Sequence, residues 1–513
     1  MSTLANALPQ NSDTAIIVPG SPNPIVLSYQ QLVSQCTQFQ AKLAAAGIGP
    51  QSAVSIALPN SLEFIVSFLA TSWQRGIAAP LNPAYKQGEF EFYIDDLKSA
   101  LLLVPKGAYS QNADAVKAGK TFQAAIAECY WDGNEIVLDM KELGKLQSNG
   151  PVSISTARPD DVALVLHTSG TTGRPKAVPL THANLTRTMQ NIQNTYQLTK
   201  ADRTLLVMPL FHVHGLLAGF LAPLSTGGSV IVPIRFSASE FWKDFINHHA
   251  TWYTAVPTIH QILLKSPKPS PVPNIRFIRS CSSPLSPKVF HDLERTFEAP
   301  VLEAYAMTEA AHQMTSNPLP PAKRMPGSVG KGQGVDVRIL DAAGKAVPQG
   351  GEGEVCIRGP NVTPGYLNNP SANESSFTAD GYFRTGDQGK MDVDGYLFLT
   401  GRIKELINKG GEKISPIELD NVLVQNPSVG EAVSFAIADE HFGQDIGIAV
   451  VLKQGTQMSG EELREWMTDK VAKFKLPKKV YFTDIMPKTA TGKIQRKNVA
   501  EAMLKQEKIT ARL

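Results

Sequence analysis

Cysteine is scarce in this 513-residue chain: four residues, Cys36, Cys129, Cys281 and Cys356. They stand far apart with no C-x-x-C pair, which argues against a zinc site or a disulfide framework and for a reducing compartment. Net charge is also small, 49 Lys and Arg against 46 Asp and Glu, so the chain as a whole is no polycation. No basic residue precedes Lys42, and neither a secretory leader nor an Arg-rich transit peptide is expected there. Uninterrupted apolar runs of membrane-spanning length are missing. The most apolar stretch, Leu205 to Leu224, approaches the ~20 residues that cross a bilayer but contains Pro209, His212, His214 and Gly215. It reads as buried core beside a site, with no membrane span expected. Internal repeats and low-complexity blocks are absent, and the 39 Gly and 36 Pro follow no collagen-like period.

What the chain does have is a globular composition, 42% apolar and 19% charged, and length enough for two or three domains. Its charge is unevenly placed. Residues 470–513 carry twelve Lys or Arg and three Asp or Glu. A basic end suggests phosphate chemistry or nucleic acid, with a solvated basic helix as the plainer alternative. RNA binding through this tail would call for an Arg-and-aromatic interleaved surface or an RNA-binding signature, and neither is read there, so nucleic acid is not the expected partner.

Val/Ile/Leu-rich runs (Ala53 to Leu58, Ala163 to His167, Ser229 to Pro233, Ile275 to Ser280) alternate with helix-like segments such as Tyr29 to Ala46 and Ser61 to Arg75. This alternation predicts a mixed α/β chain with substantially parallel sheets. From Gly353 to Thr400 short β-rich pieces broken by Gly, Pro, Asn and Asp predict a small antiparallel barrel or sheet. A further α+β segment follows Gly401, which places the boundary near Arg402.

Thr168, Ser169, Gly170, Thr171, Thr172, Gly173, Arg174, Pro175 and Lys176 follow an apolar run. Glycines admit a ligand close to the backbone, hydroxyl and amide groups donate to phosphate oxygens, and Lys supplies charge. The Walker A pattern fails, because Gly173 is separated from Lys176 and Ala177 follows that Lys. Four further segments occur downstream: Glu303-Ala304-Tyr305-Ala306-Met307-Thr308-Glu309, Tyr382 to Asp387, Gly401 to Glu405 continuing to Pro416, and Pro487 to Ile494.

In order and spacing these five segments resemble the signature of the adenylate-forming superfamily of acyl-CoA synthetases, adenylation domains and luciferases. Ala177 and Ala306 stand where that family usually has Gly, a small change. The resemblance implies a large N-terminal adenylation domain (1–401) of α/β subdomains plus a small β-barrel, a hinge (402–404), and a small mobile C-terminal domain (405–513). It implies ATP, Mg²⁺ and CoA as co-substrates and cofactor of a small-molecule carboxylate. Activation would proceed by attack of the carboxylate on the α-phosphate, then displacement of AMP by a thiol. On this resemblance the loop residues, Glu303, Ala304, Tyr305, Thr308, Asp387, Arg402 and Lys493 would bind ATP or AMP. Glu309 would hold Mg²⁺, with Thr308, Glu309 and Lys493 catalytic. Lys404 would be the hinge, and Lys409, Gly410 and Gly411 would serve the thiol step.

The segments between the motifs bear on the acid. His214, Ser282, Ser283 and His312, with Arg279 nearby, are polar equipment for a small acid bearing a second carboxylate. The plainer alternative has His212 backing the nucleotide and His312 packing structurally. Longer strings, among them FHVHGLLAG, RFIRSCSS and GRIKELINKGGEKISPIEL, are similar to the oxalate–CoA ligase group of that superfamily. A ligase for medium-chain or aromatic acids and a luciferase-like oxygenase share the nucleotide motifs. Finally, Ala511-Arg512-Leu513 resembles a small-basic-Leu address read by a peroxisomal import receptor, so a peroxisomal, in part cytosolic, location is expected.

Overall fold

The computed structural model describes residues 2–20, 23–148, 150–168, 174–489 and 493–510. Its elements begin where local chemistry starts them. Ser28 opens helix Tyr29–Ala45: its hydroxyl accepts from the Gln31 amide while Gln31 Oε1 accepts from the Ser28 amide, a reciprocal cap. Ser61 caps Leu62–Trp73 in the same position. That helix is buried almost all round, and only Glu63 of its residues escapes burial.

Two large sheets form the body. One runs, edge to edge, through Ile136–Glu142, Ala125–Trp131, Leu101–Pro105, Ala53–Ile56, Ile77–Pro80, Val162–Thr168 and Lys176–Thr181. The other has nine strands, in the order Lys331–Gly332, His312–Ser316, Val301–Met307, Phe277–Ser280, Trp252–Ala255, Arg203–Leu206, Ser229–Ile231, Thr14–Val18 and Ile25–Ser28. Both are parallel at the centre and antiparallel at the edges. Their central strands are buried on both faces, which is why they read as near-continuous apolar runs. All four apolar runs and both helical segments expected from sequence take those forms.

Residues 353–400 do not close on themselves. Asp336–Leu340, Gly353–Arg358, Phe383–Met391 and Leu397–Arg402 make an open antiparallel sheet of four strands. Of the two forms expected for this stretch, barrel or sheet, the open sheet is the one found, and the small β-barrel that the resemblance implies is corrected, since among the described residues the first and last strands do not pair. Beyond it, Ile407–Lys409, Glu412–Ile414, Val429–Asp439, Gly443–Leu452 and Lys479–Phe482 form a separate sheet with its own apolar clusters. No helix among the described residues is long and apolar enough to cross a membrane. The apolar stretch 205–224 instead enters the nine-stranded sheet and continues as a fully buried π-helical segment, His214–Leu221.

Candidate active site

The Ser/Thr/Gly loop joins two antiparallel strands, with Thr168 paired to Lys176 across its base. Strand–loop–strand is a different frame from the strand–loop–helix of a Walker A site, in keeping with the failed pattern. Ser169, Gly170, Thr171, Thr172 and Gly173 lie outside the described residues. The loop's two ends face Glu309. Thr168 Oγ1 donates to Glu309 Oε1 at 3.3 Å, Tyr366 Oη donates to the same oxygen at 2.9 Å, and Lys176 Nζ sits 4.4 Å over the Tyr366 ring. Burial raises the Glu309 pKa against those hydrogen bonds. Both bonds fall on Oε1 and come from neutral hydroxyls. A buried carboxylate whose side-chain hydrogen bonds from the described residues both fall on one oxygen is chemically suited to a hard divalent cation.

A second grouping sits where the four-stranded sheet meets strand Val301–Met307. Tyr305 Oη donates to Asp387, and Arg402, opposite Asp387 in the strand register, approaches it at 3.3 Å. Burial and Asp387 push the Tyr305 phenol well above its ordinary value. Lys493 reaches this place from the C-terminal part. Desolvation and the Arg402 charge lower its pKa, while Asp387 and Glu405 oppose them. His212 is near enough to feel Lys493: burial, then that charge, pulls its pKa to about 4. Ser415 Oγ donates to the Thr400 carbonyl, which ties the C-terminal part to the four-stranded sheet, and within the C-terminal part Arg496 pairs with Asp420 at 2.7 Å and Glu405 at 3.4 Å.

The third grouping is the histidine pocket. His214 opens the π-helical segment; its Nε2 lies 2.6 Å from Thr254 Oγ1 and its Nδ1 3.0 Å from Ser282 Oγ. His312 stacks on it, ring centroids 5.2 Å apart. Both rings are buried, and burial together with Arg279 holds both pKa values well below the ordinary imidazole range. Ser282 and His312 have φ of 73° and 101°, left-handed values that side chains with a Cβ avoid.

Other sequence candidates fall elsewhere. No bond joins Ser283 to His214 among the described residues. Glu303 lies on the Tyr305 strand but accepts from the Gly327 amide at 2.9 Å, and burial pushes its carboxyl up to about 8. Ala304 is buried in the same strand and paired with Ser316. Thr308 begins the short helix that carries Glu309. Lys404 is exposed in the turn Ile403–Glu405. Lys409 pairs with Asp445 at 2.6 Å, and Gly410 and Gly411 turn the hairpin beyond it. It is thus Lys493, and not the 409–411 turn, that stands at Asp387. Ala511, Arg512 and Leu513 lie outside the described residues.

Sequence reasoning missed Thr254, Tyr366 and Tyr196, and placed Arg279 only near the polar groups of the acid region, without its partners. Thr254 is buried mid-strand and Tyr196 ends a helix, positions that read as core from sequence alone.

Comparison with known proteins gives a consistent picture. The family model for AMP-binding enzymes matches residues 5–367, and that for the AMP-binding enzyme C-terminal domain matches 418–493. The oxalate–CoA ligase of Saccharomyces cerevisiae is 48% identical over 98% of this chain and 97% of its own. The oxalate–CoA ligase of Arabidopsis thaliana is 50% identical over 90% of each. The structure of ATP-bound MatB from Rhodopseudomonas palustris superposes with a TM-score of 0.87 at 30% identity, covering 97% of this chain and 98% of that one.

Proposed function

Since the chain belongs to the AMP-binding enzyme family, we propose that it is an AMP-forming oxalate–CoA ligase using ATP, Mg²⁺ and CoA. One carboxylate oxygen of oxalate attacks the α-phosphorus of ATP, the bond to the β-phosphate oxygen breaks, and pyrophosphate leaves. The CoA sulfur, as thiolate, then attacks the activated carbonyl carbon, and AMP departs with the bridging oxygen. The nucleophile of the first step is already ionised, so that step needs positioning and charge stabilisation and no general base.

The observation that carries this reading is the convergence of Lys493 and the Tyr305–Asp387–Arg402 group beside a buried pocket of hydrogen-bonding side chains. Asp387 is suited to accept from the ribose hydroxyls, with Arg402 and Tyr305 alongside. Lys493 lies half-buried where a cation can bridge the attacking carboxylate and the α-phosphate. The Thr168 and Lys176 ends of the loop and Thr308 would meet the phosphates. Glu309 would hold the magnesium ion, which supplies charge neutralisation there. His214, Ser282 and His312 would take the second carboxylate. A two-carbon dianion fits donors that a fatty chain would leave unpaired. Lys404, with 402–404 as hinge between 1–401 and 405–513, would let the C-terminal domain turn so that the 409–411 hairpin serves the thiol step.

Two measurements test the proposal. A panel of acids with ATP, Mg²⁺ and CoA, read as AMP formation, should favour oxalate; a higher kcat/KM for medium-chain or aromatic acids would refute the assignment. Lys493→Ala should cripple adenylate formation yet spare thioester formation from supplied oxalyl-adenylate. Equal loss of both steps would remove Lys493 from its role.

A further inference from the structure

Strand Phe277–Ser280 buries a guanidinium completely, and no carboxylate among the described residues pairs with it. Arg279 is 0% exposed. Its Nε donates to Tyr196 Oη at 2.7 Å and one terminal nitrogen to Thr254 Oγ1 at 3.1 Å. The other donates to Gln313 Oε1 at 3.2 Å and to His312 Nε2 at 3.1 Å. Every partner is neutral. Buried charges are ordinarily paired, because an unpaired one is costly. A buried cation surrounded by neutral acceptors gives the pocket a positive potential that suits an anionic ligand.

The hydrogen bonds also carry directional information. A guanidinium has only donors, so each of its partners must present a lone pair. His312 Nε2 is therefore an acceptor, and the ring's proton resides on Nδ1. That Nδ1 is buried and has no partner among the described residues. On the other side Thr254 Oγ1 accepts from Arg279, and the guanidinium also lies 3.4 Å from His214 Nε2, where only a lone pair can face it, so the Thr254 hydroxyl donates to that Nε2 at 2.6 Å. His214 then holds its proton on Nδ1 and donates to Ser282 Oγ at 3.0 Å. The Ser282 hydroxyl proton is left to point away from His214. Two relays start at one cation and both end in a donor. One passes through His312 and the other through Thr254, His214 and Ser282.

We propose that Arg279 is a positioning residue for substrate specificity, fixing His214 and His312 as Nδ1–H tautomers so that the pocket offers donors and positive potential to the second carboxylate of the acid. The inference rests on the assignment of this pocket to the acid. It extends that assignment by naming what makes the histidines donors and what makes the pocket prefer a dianion. The strained backbone at Ser282 and His312 fits this role, since both residues are held where the two relays end.

The direct test uses the full chain without substrate. In two-bond ¹H–¹⁵N correlation spectra, with the resonances assigned through His214→Gln and His312→Gln, both rings should show the neutral Nδ1–H pattern at pH 7. An Nε2–H tautomer or an imidazolium at either position overturns the proposal, whatever the substrate proves to be. The second test is kinetic and uses Arg279→Gln and Arg279→Lys with oxalate and acetate as dianionic and monoanionic probes. Removing the charge-assisted network should raise KM for oxalate by about ten- to a hundredfold in Arg279→Gln. The KM for ATP, and kcat with acetate, should stay within about threefold of the parent. Arg279→Lys, which keeps the charge and loses the fork, should fall between the parent and Arg279→Gln. A parallel loss for oxalate, acetate and ATP would make Arg279 merely structural and overturn the proposal. If the variants do not fold, the tautomer measurement on the parent protein decides. If the parent prefers another acid while both tautomers are Nδ1–H, the assignment of oxalate fails and the orienting role of Arg279 stands.

Discussion

At the scale of single residues, the buried acid Glu303 is the group whose titration should be visible in stability. An unfolded glutamate titrates near 4.5, whereas the folded chain keeps this carboxyl protonated up to about 8. Between those values the unfolded state gives up a proton that the folded state retains. Stability is therefore full below pH 4.5 and falls as pH rises through the window. Glu303→Gln, which mimics the protonated form, should raise the melting temperature at pH 8 and have little effect at pH 5. The gain at pH 8 should be about 3–5 kcal/mol if nothing else responds. An equal shift at both pH values would mean that the substitution acts by packing and not by charge. The same substitution retains a group able to accept from Gly327, so the turn it supports should persist.

At the scale of elements, the π-helical segment His214–Leu221 positions the pocket, and it can exist only where its glycines let it approach the preceding loop. A Cβ at Gly215 would lie 2.2 Å from the Pro209 carbonyl oxygen and 2.9 Å from that of Met208. Gly215→Ala must therefore push the segment away and carry His214 with it. We expect a destabilisation of about 2–3 kcal/mol, together with a larger rise in KM for the acid than for ATP. Unchanged kinetics would show that His214 keeps its place without this contact. Much at this scale was legible in the sequence. The apolar runs and caps announce strands and helices, and the five motifs mark most of the nucleotide side. The pairing of strands was not legible. Thr254 and Arg279 become neighbours through parallel register, and His214 meets Ser282 across 68 positions of sequence. Local pattern carries no record of such long-range pairing, so Thr254 reads as an ordinary strand residue and Arg279 as a neighbour of the polar groups without its partners. The barrel expectation erred similarly, because alternating short strands look alike whether or not the sheet closes.

For the whole molecule, the last three residues are proposed as a peroxisomal address. A receptor-read tripeptide adds little to a folded core, so removing Ala511-Arg512-Leu513 should leave activity in extracts intact. A fluorescent fusion that keeps the native C-terminus should be punctate and become diffuse on deletion; if both are diffuse, the tripeptide is no address. The left-handed backbone at Ser282 and His312 has its own consequence for the history of such a chain. Conformations of this kind cost on the order of 1–3 kcal/mol each for residues with a Cβ. Glycine would relieve that cost at either position while deleting a side chain of the pocket proposed for the acid. A population of variants selected for heat resistance alone should therefore drift to glycine at 282 and 312, and one selected for turnover should hold serine and histidine there. Where both demands act together, compensating substitutions should gather in the surrounding core instead.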